Sequence, residues 1–408
     1  MRITINTCAI VLVSALSLLA DGPLPLRLVA PGEGATVPLL PDDQKGFLDM
    51  PRAEWGKAFA DAPIDMYGAT ADLVCAYTDR VRNAPQKRGV MLPARPCTEN
   101  DFKTLHDWGA TLARYQMCAD GVPNDSTDDL PAYRKWLRGK LDHLERDVLP
   151  WARKYNIEIV VDMHFPPGYR RSGDDAFRMF YDDALADAFV DCWREIARRF
   201  AGASGIYGYD LMNEPVEILP GIHGHRALYE RAARAIRAID PTTPIIFESN
   251  LWDGPELFLC LEPYDITNAI YEVHMYRPTA YTHQGVGKHP TDLGRWPDSE
   301  RGWNADFLRA TLAPVRTFEK KYNAKIYVGE FSASIWADGA ENWLRDCIDL
   351  FREYGWDWTY HAFREWPGWS VEHEPTAFGM APDCFRPSAD NPRKRALMKA
   401  LRGTIRNP

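Results

Sequence analysis

Two short apolar runs end in glutamates of a kind that can do chemistry together. Residues 207–215, "YGYDLMNEP", read as a buried strand that delivers Asn213 and Glu214 side by side before Pro215 stops the ladder. Residues 325–331, "KIYVGEF", deliver Glu330 in the same way. Two carboxyl groups held about 5 to 5.5 Å apart can open an acetal by double displacement, one attacking carbon while the other gives and then takes a proton; a wider gap admits a water instead. Like charges at that spacing raise one of the two pKa values, which suits the acid. Taken alone, Glu214 is equally well explained as a solvated residue before a proline, so the other strands decide.

Polar groups recur at their ends. Eight candidate strands cover residues 88–92, 110–116, 157–164, 206–213, 244–249, 269–276, 325–331 and 357–363. The second ends around Arg114, the third at His164, the fourth at Asn213 and Glu214, the sixth at His274 and Tyr276, and the seventh at Glu330. One such residue has an ordinary structural account, but gathering all of them in one place costs desolvation with no structural return. Between the strands lie helical patterns. One runs from Asp129 through Tyr155 with Trp136, Leu137, Leu141, Leu144 and Val148 at helical spacing, and others cover 184–200, 225–240, 304–322 and 341–355. A last helix opens with Asn391 and Pro392 and closes at Gly403. Alternation of this kind predicts parallel pairing through right-handed crossovers, and eight units close into a (β/α)8 TIM barrel whose chemistry sits at the C-terminal strand ends. An open doubly wound sheet is the structural alternative, but no Gly-rich GxGxxG turn follows a strand, so a nucleotide site is unsupported.

The whole chain sets the boundaries. Its 408 residues are 46% hydrophobic and 26% charged, enough for a large core. A net charge of −9 without a long basic run argues against nucleic acid or an anionic membrane surface as partner. Fourteen tryptophans and eighteen tyrosines suit a cleft that stacks on flat ligand faces. Residues 1–20 resemble a secretory signal peptide, and their apolar part is short for a membrane span, which predicts a secreted or periplasmic protein with no stable membrane insertion. Residues 21–87 read as an N-terminal extension packed on the barrel, with 69–85 compatible with a helix, and 88–408 as the barrel itself. Seven cysteines remain beyond Cys8, none in CxxC spacing, so neither zinc nor a dense disulfide framework is indicated, though one or two bridges fit an exported protein.

The stretches "ATLARYQM", "VVDMHFPPG", "YDLMNEP", "YEVHMYRP" and "VGEFSAS", spread over roughly residues 88–370, together resemble glycoside hydrolase family five, the cellulase-like group of (β/α)8 enzymes. That resemblance implies a retaining hydrolase of β-glucan or β-mannan chains or oligosaccharides that needs no cofactor. It implies Glu214 as acid/base, Glu330 as nucleophile, Asn213 on the sugar 2-hydroxyl, Arg114 and Tyr276 holding Glu330, and His164 and His274 lining the subsite at the scissile bond. One departure stands out: the family usually carries a tryptophan platform late in strand eight, where "DWTYHAFREWPGW" has His361. Trp366 or Trp369 would then stack from the following loop, or His361 would contact the sugar itself. Trp252 is a further platform or a rim residue. Loops 165–183 and 277–303 are expected to wall the cleft.

Two rival readings remain open. Asp162 and His164 form a DxH suited to a metal-dependent barrel hydrolase, although strand one, "RGVMLPARP", offers no His-x-His. A non-catalytic carbohydrate-binding barrel is the other, and intact Glu214 and Glu330 speak against it. Which sugar is bound and the oligomeric state are not written in the sequence.

Overall fold

A computed structural model describes residues 85–117, 128–169, 176–287, 289 and 294–403. The residues read as a signal peptide, nearly all of those read as an N-terminal extension, Cys75 and Cys118 lie outside the described residues. Eight strands form a closed barrel in sequence order: β1 (Arg88–Met91), β2 (Leu112–Gln116), β3 (Glu158–Asp162), β4 (Ile206–Asp210), β5 (Ile245–Phe247), β6 (Ala269–Met275), β7 (Lys325–Phe331) and β8 (Asp357–Tyr360). All pairs are parallel, and β1 closes on β8. The (β/α)8 expectation is met, and every barrel strand falls within a span read from the sequence; a short antiparallel pair, His373–Pro375 with Phe385–Pro387, lies outside those spans.

Side chains two apart share a face of a strand, and that rule stacks the interior in storeys. The lower storey is apolar: Leu112, Val160, Tyr207, Ile246, Ile270 and Tyr327 form a compact cluster. Two residues further along, Leu112 gives way to Arg114, Val160 to Asp162, Ile246 to Glu248 and Ile270 to Glu272, so the upper storey is ionic, and all four are fully buried. The larger core lies between barrel and helices, where Trp193, Trp343, Trp356 and Trp358 are completely covered. Burying side chains of this size stabilises by about 2 to 3 kcal/mol each.

The helices of more than one turn are α1 (Glu99–Trp108), α2 (Leu130–His143), α3 (Leu149–Lys154), α4 (Asp183–Phe200), α5 (His225–Arg237), α6 (Ala305–Tyr322), α7 (Ala340–Tyr354) and α8 (Pro392–Arg402), with a single turn at Thr279–Thr282. Four of them start where side chains supply a cap: Asp129, Asp182, Asn304 and Asn391 each accept a backbone N–H of the first turn. Asn391 and Pro392 open α8 as their residue types predict, and Gly403 ends it at φ −52°, outside the left-handed region. The single helix expected over 129–155 is instead α2 and α3 joined by a π-helical turn, Leu144–Val148, just ahead of Pro150, which lacks the N–H that a regular ladder needs. After β5 the crossover is a 3₁₀ turn, Pro255–Leu259, rather than a full helix. Of the cysteines, Cys97, Cys192, Cys260, Cys347 and Cys384 are free. No helix among the described residues is long and apolar enough to cross a membrane.

Helix α1 escaped the sequence pattern, and Asp101 explains how it is anchored. Its carboxylate accepts from the Thr98 N–H and hydroxyl at 2.9 Å each, from Arg95 through both guanidinium nitrogens, and from Arg364 Nη1 at 2.8 Å. It thus ties the loop after β1 to the loop after β8. Burial pushes its pKa up, but the bonds from Arg95, Thr98 and Arg364 overcome this and bring it to about 2. A folded pKa below the unfolded value of about 3.9 means stability present at neutral pH and lost as pH falls from about 4 toward 2. Asp101→Ala is expected to cost about 2 kcal/mol at pH 7, read from urea unfolding, with the deficit shrinking below pH 4. A variant as stable as wild type at pH 7 would contradict this.

Candidate active site

The upper ionic storey opens upward into the rim where the sequence placed its polar strand ends. Arg114 on β2 is the hub. Its guanidinium reaches Asp210 Oδ2 at 2.7 Å, Glu248 Oε1 at 2.9 Å, Asn213 Oδ1 at 3.0 Å, Asp162 at 3.4 Å, Glu272 at 3.5 Å and Glu330 Oε1 at 2.6 Å. Five carboxyl groups around one cation would be unfavourable if all were charged. Asp210 and Glu248 have pKa values pushed well up, by burial first and by neighbouring carboxylates second, so protons make up the balance. Space is made locally: a Cβ on Gly329 would lie 1.4 Å from Glu272 Oε1, so only glycine lets β7 pass over that side chain.

Glu330 lies in β7, register-paired with His274 of β6. Besides Arg114, it accepts the Tyr276 hydroxyl at 2.8 Å, and His274 Nδ1 lies 3.9 Å away. Burial alone would push its pKa up, yet His274, His361 and Arg114 outweigh this and hold it well below the usual carboxylate range. The group is ionised across the working pH range.

Glu214 arrives differently. Beyond β4, Leu211 to Asn213 continue the path, and Glu214 then turns at φ 46°, a left-handed conformation that costs a non-glycine residue about 1 to 2 kcal/mol. Its N–H donates to Glu248 Oε2 at 2.6 Å, and Leu251 N–H donates to Pro215 carbonyl at 2.8 Å, so β5 and the segment after it fix the turn. Its Oε1 is 3.0 Å from His274 Nδ1. The other ring nitrogen, Nε2, faces Glu272 Oε1 at 3.2 Å. Burial opposes charge on this imidazole, but Glu330 and Glu248 raise its pKa well above the ordinary value, making it an imidazolium set beside both glutamates. An oxygen of Glu214 and one of Glu330 lie within 4.8 Å of each other, with His274 Nδ1 inside the same radius.

Other predicted residues take distinct places. Asn213 is buried with Oδ1 on Arg114, so its amide nitrogen turns away from that cation. His164, two residues past β3, hydrogen-bonds Asp162 at 2.8 Å. His361 follows β8 directly, 2.5 Å from the Tyr276 oxygen and 3.5 Å from Glu330 Oε2. Trp369 is buried beside it, at 5.8 Å between ring centres, and also flanks Tyr276 and His283. Trp366 is half-buried one ring further out, 5.5 Å from Trp369, and Trp252 is half-buried on the segment that grips Pro215. Loop 277–303 reaches the centre through His283, whose ring lies 4.8 Å from Tyr276.

Several site residues were not singled out from sequence: Asp210, Glu248, Glu272, Gln116 and Glu365. A signal existed for Glu272, since Glu272 and His274 alternate along β6, with Tyr276 next in the same spacing just beyond it. Glu365 lies four residues after His361 and is 3.3 Å from its Nε2, while Gln116 Nε2 donates to Glu365 at 2.7 Å. In the Asp162–His164 pair considered for a metal, Asp162 Oδ2 is shared between His164 Nδ1 at 2.8 Å and Arg114 at 3.4 Å. Glu214, His274 and Glu330 are spaced closely enough for an ion, but the imidazolium and Arg114 already place positive charge there.

The cellulase family, glycosyl hydrolase family 5, matches residues 78–365. Endoglucanase C of Acetivibrio thermocellus is 28% identical over 294 residues, covering 64% of this chain and 83% of that protein. Cellodextrinase A of Ruminococcus flavefaciens is 24% identical over 264 residues, 63% and 75% of the two chains. Among solved structures, endoglucanase Cel5A from Thermotoga maritima superposes with a TM-score of 0.58 at 22% identity, covering 77% of this chain and 96% of its own, a likeness of fold.

Proposed function

The chain belongs to glycosyl hydrolase family 5, and from that premise we propose that it is an exported, retaining hydrolase of β-linked glucan chains in which Glu330 is the nucleophile and Glu214 the acid/base. That it is a glycoside hydrolase of the β-glucan-cleaving family follows from the match itself. The finer reading rests on one observation: two glutamates with oxygens within 4.8 Å, of which Glu330 carries Arg114 and Tyr276 as donors. That asymmetry separates the roles, because a carboxylate held ionised by a guanidinium is the one prepared to attack.

In the first step a Glu330 oxygen bonds to the anomeric carbon while Glu214 transfers its proton to the departing glycosidic oxygen. In the second, Glu214 takes a proton from water, whose oxygen displaces Glu330 and restores the starting configuration. The Asn213 amide, oriented by Arg114, donates to the sugar 2-hydroxyl, and Trp366 and Trp252 supply stacking faces. Support for glucan comes from the names of the relatives, and support for export from the charged-then-apolar pattern of residues 1–20.

The test is hydrolysis of purified β-glucans and β-mannans in excess EDTA, with the first-formed product followed by proton NMR. We expect glucan turnover, a β-anomer at early times and no effect of the chelator. An α-anomer formed first would refute retention, and loss of activity restored by a divalent ion would revive the metal reading.

A further inference from the structure

Where the family resemblance implied a stacking tryptophan, the chain has a histidine inside a hydrogen-bonded relay that crosses the barrel mouth. The backbone carbonyl of Leu92 accepts from Gln116 Nε2, which also donates to Glu365 Oε2 at 2.7 Å. Glu365 Oε1 faces His361 Nε2 at 3.3 Å, His361 Nδ1 faces the Tyr276 oxygen at 2.5 Å, and the Tyr276 hydroxyl reaches Glu330 Oε2 at 2.8 Å. Counting protons fixes the state of the ring. Tyr276 has one hydroxyl proton and can give it to Glu330 or to His361, but not to both. With that proton on Glu330, His361 Nδ1 must donate to the phenol oxygen. A carboxylate at 365 only accepts, so Nε2 must donate as well. An imidazole with two donors is an imidazolium.

We propose that His361 is a positioning residue for the nucleophile: kept doubly protonated by Glu365, it occupies the Tyr276 oxygen with Nδ1–H and thereby holds the tyrosine's proton on Glu330. This rests on the reading of Glu330 as nucleophile. When the ring loses a proton, Nδ1 is the site that gives it up, because Nε2–H remains on Glu365. The Nδ1 lone pair then accepts the Tyr276 hydroxyl, and Glu330 loses one of its two close donors. The arrangement therefore adds an alkaline limit on the first chemical step beside the one set by loss of the Glu214 proton, with Glu365 deciding where the added limit falls.

The surroundings are consistent with this assignment. Burial works against charge on His361, but Glu365 and Glu330 raise its pKa, with Glu214 adding to them. Glu365 is held below the carboxylate range: burial opposes this, and His361 and Gln116 overcome it. Tyr276 is pushed up by burial and by Glu330, so it remains a hydroxyl. From the loop after β6, His283 has its pKa pushed down to about 3 by burial and neighbouring cations and adds no charge near neutrality. His164, beyond β3, is within electrostatic reach of Glu365 and Glu330, and Arg114 on β2 faces Glu330 from the opposite side. The Trp369 ring covers the imidazole at 5.8 Å.

Two measurements test the inference. In protein labelled with 15N-histidine, the signals lost in His361→Asn should show both ring nitrogens of residue 361 protonated at pH 7. In kcat/KM against pH on a soluble β-glucan oligosaccharide, Glu365→Gln keeps a hydrogen-bond acceptor but removes the charge, and should move the basic limb to lower pH by about one pH unit or more. His361→Asn should lower kcat about ten-fold and leave the basic limb to deprotonation of Glu214 alone. A neutral ring at pH 7, or an unmoved basic limb in Glu365→Gln, overturns the inference. If wild-type protein cleaves no β-glycoside, the functional reading falls instead, and the NMR result still decides the protonation of His361.

Discussion

Glu330→Ala is expected to reduce turnover of β-glucan by at least about 10⁴-fold while leaving the barrel folded. Folding should survive because Arg114 retains Asp162, Asp210, Glu248 and Glu272 as partners when the fifth carboxylate is removed. The alanine also opens a pocket beside Tyr276 and Arg114, where a small anion can enter. Added azide should attack the anomeric carbon from that side, and on an activated β-glycoside the product should be the α-glycosyl azide. Circular dichroism checks the fold, and product NMR reads the configuration. Near-wild-type turnover in the variant would remove Glu330 from the mechanism; a β-azide would mean that the pocket lies on the wrong face of the sugar.

Arg114→Met should have the larger effect on the molecule as a whole. Methionine fills much of the volume, so the dominant loss is the cation among five buried carboxyl groups. Removing one partner of a buried ionic network typically costs about 3 to 5 kcal/mol, because the opposite charges remain buried without compensation. The pH dependence follows from linkage. Without the guanidinium, carboxyl groups in the folded protein hold protons more tightly than in the unfolded chain, so the folded form gains stability relative to wild type as pH falls and loses it as pH rises. Urea unfolding at pH 5 and pH 8 should therefore show the greater deficit at pH 8. Equal deficits at both values, or a total cost under about 1 kcal/mol, would show that Arg114 is not the charge on which this storey depends.

The strands were legible because each is an apolar run of the right length, most of them ending in a polar residue, and the barrel followed from their number and spacing. Glu214, Asn213, His274, Tyr276 and Glu330 could be read for the same reason. Helix α1 was less visible: only ten residues long, it announces itself mainly through Thr98 and Asp101 at its start. The π-helical turn at Leu144–Val148 keeps helical spacing on either side, so periodicity alone cannot reveal it. The acids of the interior were obscured by the opposite problem. Glu248 and Glu272 sit in segments so apolar that they read simply as buried strands, and nothing nearby indicates that an arginine from β2 will meet them. The relay through Gln116, Glu365 and His361 joins residues 249 positions apart at its widest, and only closure of β1 onto β8 brings them within bonding distance.

The two storeys of the barrel give the protein separate places in which to change. Substitutions among Leu112, Val160, Ile246 and Ile270 would alter packing and melting temperature through shape and volume alone, because no titrating group belongs to that cluster apart from the phenols of Tyr207 and Tyr327. One step higher, every exchange redistributes protons among neighbours and is felt in the acidity profile of turnover. A lineage adapting to heat and one adapting to alkaline surroundings would therefore be expected to leave their marks on different floors of the same cylinder.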